Sequence, residues 1–349
     1  MEPTPVHYSD YLQLQQLLGA QQPRSNLPGI VPAHDELLFI IIHQTYELWF
    51  KQILFEIDSV TSTLRKPVLN DNSAELQLVV HRLQRVITIF KVLVQQIDIL
   101  ETMTPMDFLD FRDMLRPASG FQSWQFKQIE ASLGLPFSQR YGSDYYVSVL
   151  NEQETNIIKA AEQNDSLIKL VNSWLERMPF ITYGDFWINY HPNNSKEDLP
   201  DFFTRYQDIY VSGLAEAEKN NEELFKQVFY EAAANDSPRQ LSPKACRAAL
   251  FIFLYRGYPM LELPFQLLET LVELDNQLGN WRHRHINMVQ RMIGSRIGTG
   301  GSTGAGYLKG AMDNHAIFKE ITQLNSFLID RKKLPELPKE LKEKLGYNF

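Results

Sequence analysis

The stretch from Pro264 to Ile293 constrains the fold more than any other part of the chain. Leu267, Leu271, Leu274, Leu278, Trp281, His285, Met288 and Met292 recur at alternating steps of four and three. Only an α-helix places that spacing on one face, and so long a stripe predicts one long helix buried along one side. Apolar alternation of period two is scarce, and there is no Asn-Gly hairpin signal. The chain therefore reads as all-α. A helix over 34–65 lies between Pro32 and Pro67, with Asp35 and Glu36 in its first turn, where the helix dipole favours acids. A second spans 73–102, with Asn72 and Glu75 resembling a capping box. Thr104-Pro105-Met106-Asp107 is a start signature for a short helix over 106–115. Further helices are expected over 122–133, 154–176, 199–232, 243–255 and 307–330. The segment 179–194 reads as a loop or small subdomain, and 135–151 carries no clear pattern.

Composition narrows the class. The 349 residues are 44% hydrophobic and carry 34 basic and 42 acidic side chains, a net charge of −8. That balance excludes a disordered chain and lacks the basic bias of a nucleic-acid binder. The longest apolar runs, 37–42 and 248–255, fall far short of the roughly 20 residues of a membrane span. With one cysteine, Cys246, neither an intrachain disulfide nor a thiolate metal cage can form. The N-terminus lacks the charge and apolar run of a secretory signal, so a cytoplasmic location is expected. No linker or repeat divides the chain, and one domain over 1–349 is expected.

Several residues could carry chemistry. There is no Glu-x-x-His and no His-Glu-x-x-His, which removes the di-iron bundle and zincin patterns. His283 and His285 are two apart, so a regular helix points them in different directions and only His285 lies on the stripe. A histidine there is either a core residue or an axial haem ligand, and periodicity does not choose. Phe39 and His43 share a helix face in an apolar stretch, which suits a core histidine or a flat aromatic ligand. Phe108 and Arg112 also share a face, and the arginine suits a structural ion pair or a bidentate clamp on a carboxylate. Five of the 17 glycines fall within 298–306. That loop follows a helix and lacks Gly-Lys-Ser/Thr and Gly-x-Gly-x-x-Gly, so it reads as a lid, not a phosphate cradle.

These residues stand in longer segments: His34 through Lys51, Leu100 through Arg112, Pro117-Ala-Ser-Gly-Phe-Gln-Ser123, Trp174-Leu-Glu-Arg177, Trp281 through Gly294, and Gly298-Thr299-Gly-Gly-Ser-Thr-Gly304 with Tyr307-Leu308. In these segments the sequence closely resembles the haem-dependent tryptophan 2,3-dioxygenase family. The resemblance implies a helical bundle enclosing a b-type haem, with long core helices and a small helical and loop subdomain. It implies oxidative opening of the indole ring of L-tryptophan by O2 to N-formyl-L-kynurenine, the first step of tryptophan catabolism by the kynurenine pathway. It makes His285 the axial ligand of the haem iron and His43 the residue that meets the indole N–H. It makes Phe39, Phe108 and Leu115 the walls around the indole. It gives Arg112 to the substrate carboxylate and Thr299 to the amino-acid head group, and places Ser119 in the distal segment. Tyr8, Tyr11 and Leu12 match residues of an N-terminal segment, within 1–30, that the family lends to a neighbouring subunit in a homotetramer, a dimer of dimers. Two departures stand out: Ser302-Thr-Gly-Ala-Gly306 in the loop, and His283 where tyrosine is common. Two rival readings remain on the residues alone, namely a related haem protein catalysing another indole reaction and a helical interaction protein without catalysis.

Overall fold

The architecture was read from a computed structural model, which describes residues 5–135, 150–182, 202–232, 239–294, 296 and 316–346. Among the described residues the regular elements are all helical. In chain order the α-helices are α1 (Tyr8–Tyr11), α2 (Leu14–Leu18), α3 (Asp35–Leu64), α4 (Ala74–Leu100), α5 (Pro105–Arg112) and α6 (Trp124–Leu133). There follow α7 (Glu152–Gln163), α8 (Leu167–Glu176), α9 (Pro179–Thr182), α10 (Phe202–Ser212), α11 (Asn221–Phe229) and α12 (Pro243–Tyr255). The last are α13 (Pro259–Ile293), α14 (Lys319–Gln323) and α15 (Lys339–Leu345). None is long and apolar enough to cross a membrane.

The long helices carry the structure. Helix α4 packs along both α3 and α13. Its buried stripe is Leu76, Val79, Leu83, Val86, Phe90, Leu93 and Ile97. On α13, Leu267, Leu271, Leu274 and Leu278 are fully buried, and Trp281, Met288 and Met292 are nearly so. Each such side chain contributes roughly 1.5–3 kcal/mol on leaving water. Among the described residues, the apolar core falls into two clusters. The larger fills the space between α3, α4, α6, α8, α10, α12 and α13. The smaller joins Ile42, Ile97, Leu100, Met103, Phe108, Phe111, Met288 and Met292, where the start of α3, the end of α4, α5 and the end of α13 converge.

The starts and stops follow local chemistry, and several differ from the sequence reading. Helix α4 is capped by Ser73, whose hydroxyl accepts from the Leu76 amide at 3.2 Å, in place of an Asn72–Glu75 box. Ser73 sits in extended backbone with N3 three residues on, which is the geometry a cap needs. The start signature before α5 is met by Thr104, which forms a capping box with Asp107. The helix ends at Arg112 and tightens into a 3₁₀ turn over Asp113–Leu115. Helix α13 starts at Pro259, one turn and more before Pro264, which is buried inside it. Pro259 holds the first helical position, where its missing N–H costs nothing, and the buried Leu261 anchors the turn between the two prolines. The stretch 154–176 is two helices, because Ser166 takes extended backbone and opens α8. The stretch 199–232 is also divided: α10 ends at Ser212, and a 3₁₀ turn over Glu216–Glu218 precedes α11. From 316 the expected final helix is short: α14 runs into a 3₁₀ turn over Leu324–Phe327, and the chain leaves helical geometry at Leu328. The unassigned stretch 136–149, most of 179–194 and the loop 298–306 lie outside the described residues.

Two carboxylates each hold a pair of backbone amides. Glu36, buried on α3, accepts the amides of Arg24 (2.7 Å) and Ser25 (2.8 Å). This holds the Arg24–Asn26 turn, which packs on Asp113–Leu115 after α5. Asp275 on α13 accepts the amides of Ile317 (2.9 Å) and Phe318 (2.7 Å) and so fixes the chain that follows 297–315.

Candidate functional site

The smaller apolar cluster brings together residues that are far apart in sequence. Phe39 lies one turn before His43 on α3, and their rings are 4.0 Å apart between centroids. Phe39 also meets Phe108 at 5.7 Å and Phe111 at 5.5 Å, and the two phenylalanines of α5 pack edge to face at 5.4 Å. Leu115 packs against the same cluster from the turn after α5. Met288 and Met292 enter it from α13, the helix that carries His285. Arg112 closes α5 with only 6% of its surface exposed. A guanidinium this dry binds a carboxylate more strongly than one in water, because its charge is little screened.

The two histidines are tuned alike. His43 Nδ1 lies 2.7 Å from the Phe39 carbonyl oxygen. A carbonyl oxygen only accepts, so Nδ1 carries the proton. Burial pushes the pKa of His43 down, against the opposing pull of the Phe39 hydrogen bond and the Glu47 charge. The ring is therefore neutral, and Nε2 presents a bare lone pair able to accept an N–H. Burial also lowers His285, to about 4, and nearby His43 adds to the shift, since two positive rings would repel. A neutral imidazole is the form that ligates a metal. His283, by contrast, is exposed and, among the described residues, its hydrogen bond is to Asn287, one turn on, at 3.0 Å.

The surroundings of His285 fit a metal held in a macrocycle better than a bare ion. Among the described residues, no group of three His, Cys, Asp or Glu side chains is placed to hold a metal. A single imidazole in an apolar setting needs a ligand that supplies the remaining donors itself, as the four nitrogens of a porphyrin do. The end of α13 is braced on its polar side by Arg284, which pairs with Asp98 and, at 3.4 Å, with Glu101; Arg291 joins Glu101 at 3.6 Å. These pairs tie the His285 turn to the end of α4.

A family model described as tryptophan 2,3-dioxygenase matches residues 1–328. The chain belongs to that family. It is 43% identical to a tryptophan 2,3-dioxygenase of Bdellovibrio bacteriovorus, over the whole of both chains. It is also 43% identical to that of Dictyostelium discoideum, over 98% of this chain and 88% of the relative. With that of Rattus norvegicus it shares 40% over 95% of this chain and 84% of the relative. Against the family expectation, the structure gathers Phe39, His43, Phe108, Arg112, Leu115 and His285 in one region. Ser119 is half-buried and spends its hydroxyl on capping the Gly120–Gln122 turn, accepting from the Phe121 amide at 3.3 Å. Tyr8, Tyr11 and Leu12 are exposed on and after α1 and do not join the cluster within this chain. Thr299 lies outside the described residues. The sequence reading did not single out Phe111 and Trp281 as site residues. Phe111 is three residues from Phe108 and fully buried. Trp281 is on the stripe one turn before His285, a spacing that was the available signal.

Proposed function

We propose that this tryptophan 2,3-dioxygenase family member is a haem-dependent enzyme acting on L-tryptophan and O2, with N-formyl-L-kynurenine as product. The observation that carries the reading is the pair of neutral imidazoles, His43 and His285, brought together at an aromatic cluster with a buried arginine. The relatives' names supply the substrate, and the residues of this chain supply a use for each part of it.

In this reading His285 holds the haem iron. The haem, when bound, supplies the oxygen chemistry, and the protein supplies position and electrostatics. Arg112 takes the substrate carboxylate through its paired N–H groups. Phe39 and Phe108 form walls that hold the indole, with Leu115 as a further wall. The Nε2 lone pair of His43 accepts the indole N–H, which sets the ring's rotation as well as its position. Thr299 contacts the amino-acid head group, and Ser119 belongs to the distal segment. Holding two reactants in register in this way contributes up to about 7–11 kcal/mol toward the barrier. The apolar walls exclude water, which strengthens the Arg112–carboxylate contact.

The assembly reading is a homotetramer in which Tyr8, Tyr11 and Leu12 reach a neighbour's site. Tyr8 and Tyr11 are 70% and 77% exposed, and the outer face of α3 carries exposed Leu37, Ile41, Leu48 and Phe55. Apolar surface of that extent is favoured when a second chain covers it. The chain is read as one domain over 1–349, and the location as cytoplasmic. The experiment that tests the substrate assignment is Arg112→Ala in the haem-loaded protein, titrated by its absorbance change with L-tryptophan and with an indole lacking the carboxylate. Tryptophan should lose affinity far more than the indole; equal losses would remove the clamp from the account.

A further inference from the structure

A histidine that ligates a metal commonly donates its second ring N–H to a carboxylate, a carbonyl or water, and that bond fixes the plane of the ring. His43 has such a bond, to Phe39. His285 makes none among the described residues. It has a stacking partner instead. The Trp281 indole, one turn earlier on α13, lies parallel to the His285 imidazole, with centroids 5.2 Å apart and planes inclined by 4°. The separation and the parallel planes describe an offset stack, the arrangement that aromatic pairs favour.

Trp281 is itself held firmly. It is 8% exposed, and three rings brace it: Phe126 at 4.6 Å, Phe50 edge-on at 6.0 Å and Tyr46 edge-on at 6.3 Å. Tyr46 is fixed in turn by donating to the Leu93 carbonyl of α4 at 2.8 Å. Phe50 and Tyr46 stand on α3, Phe126 on α6 and Leu93 on α4. The indole plane is thus set by three helices other than its own.

We propose that Trp281 is a positioning residue for His285: its braced indole fixes the plane of the imidazole by stacking, in the place usually held by a hydrogen bond. The inference rests on the reading of His285 as the haem ligand. The physical need is plain. The last torsion of a histidine is broad and two-fold, so an imidazole without a hydrogen bond turns easily about it. Turning here drives a ring edge into the indole face.

The test uses the full-length, haem-loaded protein and two substitutions. Trp281→Met keeps much of the volume and removes the flat face, whereas Trp281→Phe keeps a flat ring. The readouts are the iron–imidazole stretching band of the ferrous protein by resonance Raman and the rate of haem loss to a scavenging apoprotein. For Trp281→Met the band should broaden or split and haem should leave about tenfold faster, the scale of one lost aromatic stack. For Trp281→Phe the band should stay sharp. A wild-type band and wild-type haem loss in Trp281→Met would overturn the proposal. So would a broadened band in Trp281→Phe, because volume or the indole N–H would then matter and not the plane; this second variant decides the matter if the first does not fold. An imidazole band that survives His285→Ala unchanged would instead defeat the ligand assignment, and this proposal with it.

Discussion

Removing the His285 ring from the haem-free protein should change how its stability responds to acid. The folded protein holds His285 at a pKa of about 4, against 6.5 for the free side chain. Above pH 6.5 the ring is neutral in both folded and unfolded chains, and its burial has no protonation cost. Between 6.5 and 4 the unfolded chain takes up a proton that the folded chain refuses. Stability therefore falls as the pH drops through that window and levels off below it. At 1.36 kcal/mol per pKa unit, the loss between pH 7 and pH 5 comes to about 2 kcal/mol, rising to about 3 kcal/mol by pH 4. His285→Phe keeps an apolar ring of similar size and has no proton to refuse. Urea unfolding of both proteins, followed by far-UV circular dichroism at pH 7 and pH 5, isolates the term. The buried carboxylates titrate in both proteins and cancel in the difference. The wild type should lose about 2 kcal/mol more than the variant over that interval. Parallel losses would refute the reasoning, because His285 would then not be held neutral by its surroundings.

Other consequences are as specific. His43→Ala should lower turnover while haem stays bound, and 1-methyl-tryptophan, which has no indole N–H to give, should be a poorer substrate than tryptophan for the wild type alone; equal responses in wild type would remove the Nε2 contact. Phe111→Ala empties a fully buried position in the site cluster and should cost about 3–5 kcal/mol in urea unfolding; a loss below 1 kcal/mol would mean the cluster is not packed as described. Arg282 and Glu130 form a buried pair at 2.7 Å between α13 and α6. Glu130→Ala should destabilise by about 3–5 kcal/mol, since it leaves the guanidinium buried without that carboxylate, and the double variant Glu130→Ala, Arg282→Leu should recover part of the loss; no recovery would argue that the pair is not coupled.

Much of this fold was legible because helices announce themselves locally. The stripe from Leu267 to Met292 marked α13 and separated His285 from His283, and the structure buries every member except His285 to within a tenth of its surface. Pro243 to Tyr255 is legible to its bounds, since a Ser-Pro start and a continuous apolar run leave little choice. The misreadings arose where polar residues could belong to either a helix surface or a break. Asn164-Asp165-Ser166 reads as a solvated helical turn, yet Ser166 takes extended backbone before α8. Pro264 reads as a helix start, yet the preceding turn is held by Pro259 and Leu261. The site is legible only in halves. Spacing pairs Phe39 with His43 and Phe108 with Arg112, each pair within one helix. What brings α3, α5 and α13 together is tertiary packing, which no local period encodes, and the family resemblance supplied that step. Trp281 shows the limit most clearly: its place on the stripe marks it as buried, while its parallel stack on His285 depends on Tyr46, Phe50 and Phe126 from other helices.

The most direct measurement is turnover itself. The purified chain, loaded with haem and reduced, should convert L-tryptophan in air to a product with the absorbance of N-formyl-L-kynurenine, with one O2 consumed per product. His285→Ala should abolish both haem ligation and product. Ferrous haem firmly bound through His285 with no such product would contradict the account and leave a haem protein of this architecture with another reaction.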